Sequence, residues 1–492
     1  MHKLRELFSD TLIYGISSVF ARFVNYLLVP FHTDVFEPAR YGIVGLIYAS
    51  IAFLNVIFTM GMESAYLRYA KDREEAPHVF KTLQVGLLVA ASLFVAVLWL
   101  LEPQVLSLLN LDERTAGIYL MMLGILWFDT LSIVPFAELR LVRRSWLFAL
   151  LRTGHVIVNL FLNFYLILAL GYGIEAVFIS NLAASAIVTL LIWAFTVPLM
   201  KGRWNRDWLQ KAFSFGWPFV PAGIGYAVNE MLDRFFLNAM DPEQVQAIYG
   251  PGYTAEDIVG IYIGCYKVAV FMLLLIQMFR MAWQPFFMRH SEDADAPVVF
   301  ARVFIYFNLV AAGLYLFVGL FAQEIVALPI PGTDATLINS RYWTGLEIIP
   351  LLLLAYWFHG WYINFSAGIF ISKKTVILPK IMLAGAVITI AANLALVPYL
   401  GMMGSAWATT ASYGTMALSL HYFSTKEFSV PYSLRYGMIL MVLMVAIVWS
   451  VPALSSLSGK EAFTIKLTLF FPAVLALVWQ VLTELKKDRN ML

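Results

Sequence analysis

The sequence predicts an all-α polytopic membrane protein with about 14 transmembrane helices, built as two parallel six-helix lobes and two further C-terminal helices. Three observations predict this class. The chain is 61% hydrophobic and 13% charged over 492 residues, with a mean hydropathy of +0.78, whereas a soluble domain carries about 25% charged residues. Fourteen apolar stretches follow one another, and the loops between them alternate in charge. Features of the first six stretches recur in the next six.

A helix needs about 20 apolar residues to cross a bilayer core of ~30 Å. The stretches lie near 11–33, 41–67, 79–101, 115–137, 147–170, 174–198, 212–238, 258–285, 299–322, 346–371, 375–398, 403–424, 433–453 and 463–485. They are too long for barrel strands and lack strict alternation. The first contains Arg22 and Asn25 and no small-residue cleavage site, so it reads as a retained helix rather than a signal peptide. The spans and their loops account for nearly the whole chain and leave no room for a soluble enzyme domain. Cys265 is the single cysteine, which excludes an intrachain disulfide and a cysteine metal site. Walker A, HExxH, GxSxG and Cys/His clusters are absent from the sequence, so neither ATP hydrolysis nor covalent chemistry nor a cofactor is expected.

Charge orients the spans. Both termini and the even-numbered gaps hold 22 basic residues, among them Arg68, Lys71, Arg73, Arg140, Arg143, Arg144, Lys201 and Arg203. The opposite gaps hold 4, namely Arg40, Arg114, Arg341 and Lys460, and are rich in acids such as Asp34, Glu37, Asp112 and Asp241. The positive-inside rule then places both termini in the cytoplasm. The even span count follows from the same split, because one missed or invented helix would scramble it.

An internal repeat sets the domains. Ile43-Val44-Gly45 matches Ile258-Val259-Gly260 at an offset of 215, and Asn163, Gly171 and Ala176 match Asn393, Gly401 and Ala406 at 230. An insertion that includes Pro329 to Trp343 absorbs the difference. The expected organisation is an N-terminal lobe 1–198, a polar amphipathic linker 199–211 on the cytoplasmic surface, a C-terminal lobe 212–424, and added helices in 425–492. Parallel repeats are a transporter signature, with the substrate site between them near the midplane.

Charges left inside the spans are the functional candidates, since a centred charge costs about 2.5–3.5 kcal/mol on insertion scales and normally faces a cavity or partner. Arg22 and Lys267 are deep in their spans, and Arg280 lies closer to the cytoplasmic end. A basic cleft formed by them suits an anionic substrate, phosphate being the obvious group. Arg152 and Arg302 lie near cytoplasmic ends, where they can equally snorkel. Asp233-Arg234 reads as a local pair at the outer end of its span. The acids Glu63, Asp129 and Glu230 are candidates for a coupling proton, although Glu63 and Asp129 could equally pair with Arg68 or Arg140. His359 reads as a hydrogen-bonded packing residue, and Asn159, Asn163 and Asn393 as interhelical hydrogen-bond formers. Pro218, Pro221, Gly223, Gly225 and Pro285 permit bending.

Several short motifs resemble the polysaccharide biosynthesis flippases. They are Tyr41-Gly42 after an acidic outer loop, Gly61-Met62-Glu63-Ser64-Ala65-Tyr66-Leu67-Arg68-Tyr69, Asn163 to Gly171, Asp233-Arg234, and Gly260-Ile261-Tyr262 leading to Lys267. Their order along the first twelve spans carries the resemblance. These O-antigen and exopolysaccharide exporters are related to multidrug MATE transporters and lipid II flippases. The resemblance implies a two-lobed fold with a cationic cavity. It implies flipping of polyprenyl-pyrophosphate-linked oligosaccharide from the cytoplasmic to the periplasmic leaflet of the bacterial inner membrane, without ATP hydrolysis. It further implies that Arg22, Lys267 and Arg280 receive the pyrophosphate or an acidic sugar, with Arg68 at the cytoplasmic entrance; Arg152 joins the candidate substrate-binding residues as a charge within its span. Implied partners are the lipid-linked glycan, membrane lipids, and a glycan polymerase with its glycosyltransferases; no nucleic acid is expected. Three rival readings are a lipid II flippase, a cation-coupled MATE drug antiporter and a non-transporting scaffold of a glycan synthase. Many O-antigen flippases have twelve helices, so the added pair leaves open a 14-helix relative such as the lipid II flippase. The arginine-glycine pattern of that relative's first helix is missing here, where the sequence reads Phe20-Ala21-Arg22-Phe23.

Overall fold

The structure, a computed structural model, describes residues 28–112, 115–451 and 459–490. Among these residues there are nineteen α-helices and, outside them, one isolated bridge between Pro329 and Thr336. Ten helical segments are long and apolar enough to cross a membrane, and Leu434–Ser450 is a shorter apolar helix. Two more expected spans are full-length helices of more polar composition. Phe219–Asn238 carries Glu230, Asp233 and Arg234, and Met402–Glu427 is rich in Gly, Ser and Thr. The first expected span lies largely outside the described residues, and helix α1, Leu28–Val35, is its visible end.

The chain forms two compact units, Phe36–Gly260, and Ile261–Leu492 together with Leu28–Val35. In the first unit, α2 (Pro38–Thr59) starts with proline in its first turn, where the missing N–H is no loss. The expected single helix over 41–67 is broken: Met60 and Gly61 both take left-handed φ, at 47° and 68°, and α3 (Met62–Tyr69) resumes after them. The break lets two backbones touch. A Cβ on Gly61 would stand 2.5 Å from the Gly216 carbonyl oxygen.

Next come α4 (Ala76–Leu100), α5 (Glu102–Leu108), α6 (Ala116–Leu141), α7 (Ser145–Phe164, extended by a π-helical turn) and α8 (Glu175–Thr196). Helix α6 is the hub, packing on α2, α3, α4 and α8. Tyr66, Phe80, Leu83, Leu87, Leu131 and Val134 form a buried core where α3, α4 and α6 meet. The amphipathic linker is itself structured: α9 (Arg206–Gly216), capped by the Asn205 side chain on the Asp207 N–H at 2.8 Å, packs against α3 and α4. Helix α10 (Phe219–Asn238) then lies along α2, and α11 (Pro242–Tyr249) opens with a capping box of Asp241 and Gln244.

Helix α12 (Ala255–His290) begins in the first unit. A Cβ on Gly260 would collide with the Pro38 carbonyl, and one on Gly42 with that of Glu256. Small residues therefore set this crossing of α2 and α12. The second unit continues with α13 (Ala296–Leu320), α14 (Ala322–Val326), α15 (Ile348–Ile371), α16 (Ile377–Leu400), α17 (Met402–Glu427), α18 (Leu434–Ser450) and α19 (Gly459–Asn490). Helix α17 packs on α15 and α16, while α13 packs on α15, α18 and α19. The last two helices are thus integral to this unit. Gly437 seats the Trp361 ring, Gly319 seats Val448, and Phe317, Phe321, Phe463 and Phe470 interlock.

The compact units divide the chain by contact in space, whereas the expected lobes 1–198 and 212–424 follow recurrence along the sequence, a different property. A local device is nevertheless shared at the matched positions. Asn163 donates to the Asn159 carbonyl at 3.0 Å and Asn393 to the Thr389 carbonyl at 2.8 Å. Gly171 and Gly401 both turn the chain with positive φ, and Ala176 and Ala406 are both fully buried.

Candidate functional site

The cations of α12 are the first group of candidates. Lys267 is half-buried and Arg280 is exposed. Thirteen residues separate them by about 20 Å along a regular helix and about 140° around it. Lys267 and Arg280 therefore lie at different depths and on different faces of α12, in keeping with the sequence reading that sets Arg280 nearer the cytoplasmic end of its span. Around α12, α15 and α17 run hydroxyls and rings: the Tyr266 and Tyr356 hydroxyls meet, Tyr356 lies 6.2 Å from Tyr413, and His359 packs 4.8 Å from Tyr413 and 6.1 Å from Tyr362. Arg280 acts electrostatically on both His359 and Tyr362. The expected hydrogen bond of His359 is missing at Nδ1, which is buried with no partner among the described residues; its place is set by ring packing. Arg302 is half-buried in the second turn of α13. Arg22 lies outside the described residues.

The remaining candidates sit in the first unit. Arg68 is exposed and stacks its guanidinium on Phe215 at 4.5 Å and Tyr69 at 5.6 Å. Glu63, in the first turn of α3, is ion-paired with Arg140, one of the two partners the sequence reading offered. Asp129 makes neither expected pair. It accepts the Ser185 hydroxyl at 2.8 Å, and Ser185 lies 3.2 Å from His155 Nε2. Because the serine proton points at the carboxylate, the imidazole must donate to the serine oxygen. Arg152, one turn before His155, lies 4.0 Å over the Phe136 ring and acts electrostatically on Asp129. Helices α6, α7 and α8 thus hold a carboxylate, hydroxyl and imidazole in a row. Glu230 is buried on α10, and its carbonyl accepts Arg234 at 2.6 Å. Asp233 and Arg234 pair at 2.8 Å as expected and are buried in the protein near the end of α10.

Two ionic groups escaped the sequence reading. Glu138, 5% exposed, accepts Tyr66 at 2.8 Å and both Arg73 nitrogens at 2.6 and 3.1 Å. The hydrogen bond to Glu138 holds the Arg73 guanidinium above its ordinary pKa. Lys466 on α19 reaches both Glu324 oxygens at 2.7 and 2.9 Å. Each acid lies in a helix end that reads as ordinary loop-proximal charge, and the only sequence signal is an ionisable residue among apolar neighbours.

Membrane-length helices that bury paired charges and polar rows define a multi-pass membrane protein. The fold is similar to an inward-facing multidrug resistance MATE family transporter of the MOP superfamily, with a TM-score of 0.66 and 16% identity over 82% of this chain and 94% of that one. It is similar to the lipid II flippase MurJ in an inward closed conformation, with a TM-score of 0.63 and 15% identity over 96% of this chain and 99% of that one. A Vibrio cholerae MATE transporter, VcmN in its bent form, matches with a TM-score of 0.54 and 14% identity over 89% and 98%. The chain belongs to the polysaccharide biosynthesis protein family, whose pattern matches residues 35–330. No curated protein sequence matches the chain.

Proposed function

We propose that this protein is a flippase that carries polyprenyl-pyrophosphate-linked oligosaccharide, an O-antigen or exopolysaccharide repeat unit, from the cytoplasmic to the periplasmic leaflet of the bacterial inner membrane. The observation that carries the reading is Lys267, a half-buried ammonium inside a membrane-length helix of a polysaccharide biosynthesis family member. An ammonium is a point charge suited to a phosphate, and the Tyr266, Tyr356 and Tyr413 row supplies hydroxyls and ring faces for a saccharide. Arg280 and Lys267 act as successive stations for the pyrophosphate as lobes 1–198 and 212–424 rock in alternating access, with Arg22, Arg68 and Arg152 in supporting roles. Both termini are cytoplasmic. Asp129 is the proposed acceptor of a coupling proton, since it ends a hydrogen-bonded row to His155 and Glu63 is already paired with Arg140. A lipid II-type substrate is the second reading, supported by the likeness to that flippase over 96% of this chain.

The test is flipping of a fluorescent polyprenyl-pyrophosphate saccharide in proteoliposomes, with and without a pH gradient. Lys267→Ala and Arg280→Ala should each slow flipping by about tenfold or more, the effect of ~1.4 kcal/mol, while Asp129→Asn should abolish only the gradient's contribution. Wild-type rates in both cation variants would remove the assigned site, and transport of cationic drugs without lipid flipping would remove the function.

A further inference from the structure

A cavity in the first unit is lined by none of the residues given a transport role above. Helix α9 and its lead-in run beside α4 in step. The Arg203 N–H donates to His78 Nδ1 at 2.8 Å, the Asn205 N–H donates to Thr82 Oγ1 at 3.0 Å, and Leu209 stands 3.0 Å from where a Gly86 Cβ would be. Successive contacts at 78, 82 and 86 climb α4 by about one turn each. Gly86 and Ala90 are the small pair four residues apart on one face, and there α4 and α9 leave a cavity of about 870 Å³. That is within the ~300–1,000 Å³ of small-molecule sites. Met62, Leu87, Leu93, Leu209 and Phe213 are among its walls, and Gln210 and Ser214 are its polar side chains apart from the Trp204 indole. Val89 and Leu93 both line it and are 63% and 60% exposed, so it opens on the outer face of a membrane-length helix.

The other end is cationic. Lys201, Arg203, Arg206 and Lys211 are all exposed, against Asp207 on the same segment and Glu75, which accepts the Trp208 indole N–H at 3.2 Å. No carboxylate pairs with Lys201, Arg203 or Arg206 among the described residues. Three of these cations flank the N-terminus of α9, where the helix dipole favours anions, so they do not serve the helix. Trp204, half-exposed, stands between the charges and the apolar slot, the usual place of an indole at a membrane interface.

We propose that this crevice is a binding site for an anionic phospholipid from the leaflet on the basic side. One acyl chain lies between α4 and α9, and the phosphate lies among Lys201, Arg203 and Arg206. The cationic end and the apolar slot match the two parts of such a lipid. The slot has no polar recess of the size a saccharide needs, and an abundant bilayer lipid fills a matching site by mass action. Once seated, the lipid braces the connection between α8 and α10. None of this depends on the transport reading.

The full chain, purified and delipidated in detergent, is titrated in native mass spectrometry with phosphatidylglycerol, with phosphatidylcholine of the same chains, and with polyprenyl phosphate. One phosphatidylglycerol should bind at least about tenfold more tightly than phosphatidylcholine. Arg203→Ala with Arg206→Ala should remove that preference, a loss on the order of tenfold or more for two near-surface cations. Ala90→Trp, which plugs the slot, should remove tight binding with the cations intact. Equal affinity for the two phospholipids, unchanged phosphatidylglycerol binding in the variants, or tighter binding of polyprenyl phosphate overturns the assignment. The arginine pair changes only exposed side chains and decides the matter if Ala90→Trp does not fold.

Discussion

The Arg73–Glu138–Tyr66 clamp makes an asymmetric prediction. Glu138 is buried, with its side chain 7% exposed, whereas that of Arg73 is 48% exposed. Arg73→Ala strands a buried carboxylate with Tyr66 as its remaining clamp partner, and removing one partner of a buried ion pair costs about 3–5 kcal/mol. Half-exposure of the lost arginine places this case at the lower end, about 3 kcal/mol. Glu138→Gln keeps an oxygen for the Tyr66 hydroxyl and leaves a guanidinium that already reaches water, so its expected cost is about 1–2 kcal/mol. Combining Glu138→Gln with Arg73→Ala should therefore recover about 1 kcal/mol or more relative to Arg73→Ala alone, a coupling that a double-mutant cycle isolates. Tryptophan fluorescence during thermal unfolding in one detergent ranks the four proteins, with each kcal/mol worth roughly 2–4 °C in a domain of this size. If Glu138→Gln is the more damaging single change, or if the double variant is the least stable, desolvation of the carboxylate is not what the clamp relieves.

Further outcomes follow from single contacts. Gly260→Leu forces a side chain into the Pro38 carbonyl at the crossing of α2 and α12. Overpacking costs about 1–3 kcal/mol or more, and the yield of monodisperse protein should fall sharply while Gly117→Ala, facing open space, leaves it unchanged. Glu324→Gln strands the Lys466 ammonium, whose side chain is 9% exposed against 34% for Glu324, and should loosen α19 by about 3 kcal/mol, seen as faster proteolysis near residue 459; Lys466→Met, which leaves a carboxylate that already reaches water, should do less. Cys265 is fully buried and donates to the Tyr342 carbonyl at 3.2 Å. A maleimide should therefore label it only after denaturation, and rapid labelling of the folded protein would contradict this packing.

The spans were legible because a bilayer leaves an apolar chain one local solution, a helix that satisfies its own backbone. The reading near 375–398 meets α16 at 377–400, and the amphipathic stretch after 199 meets α9. The break in the second span was not legible. Met60 is an ordinary helix former, and its left-handed φ exists because Gly61 must meet Gly216, a residue 155 positions away in the sequence. The site divides the same way. Sequence singled out Asp129, Lys267 and Arg280 by their apolar surroundings, since a membrane charge is costly wherever it stands. It could not show that Asp129 holds Ser185 rather than an arginine.

By itself, then, the sequence determined the membrane class, the helix order, the orienting charge asymmetry and the ionisable residues that needed partners, all of them consequences of transferring each segment into lipid. The tertiary structure alone decided the partners: Glu138 with Arg73, Lys466 with Glu324, Asp129 with Ser185 and His155, and α9 beside α4 rather than free. Those pairings depend on distances between segments far apart in the chain. Hydropathy acts one segment at a time, while side-chain satisfaction is settled only when helices pack.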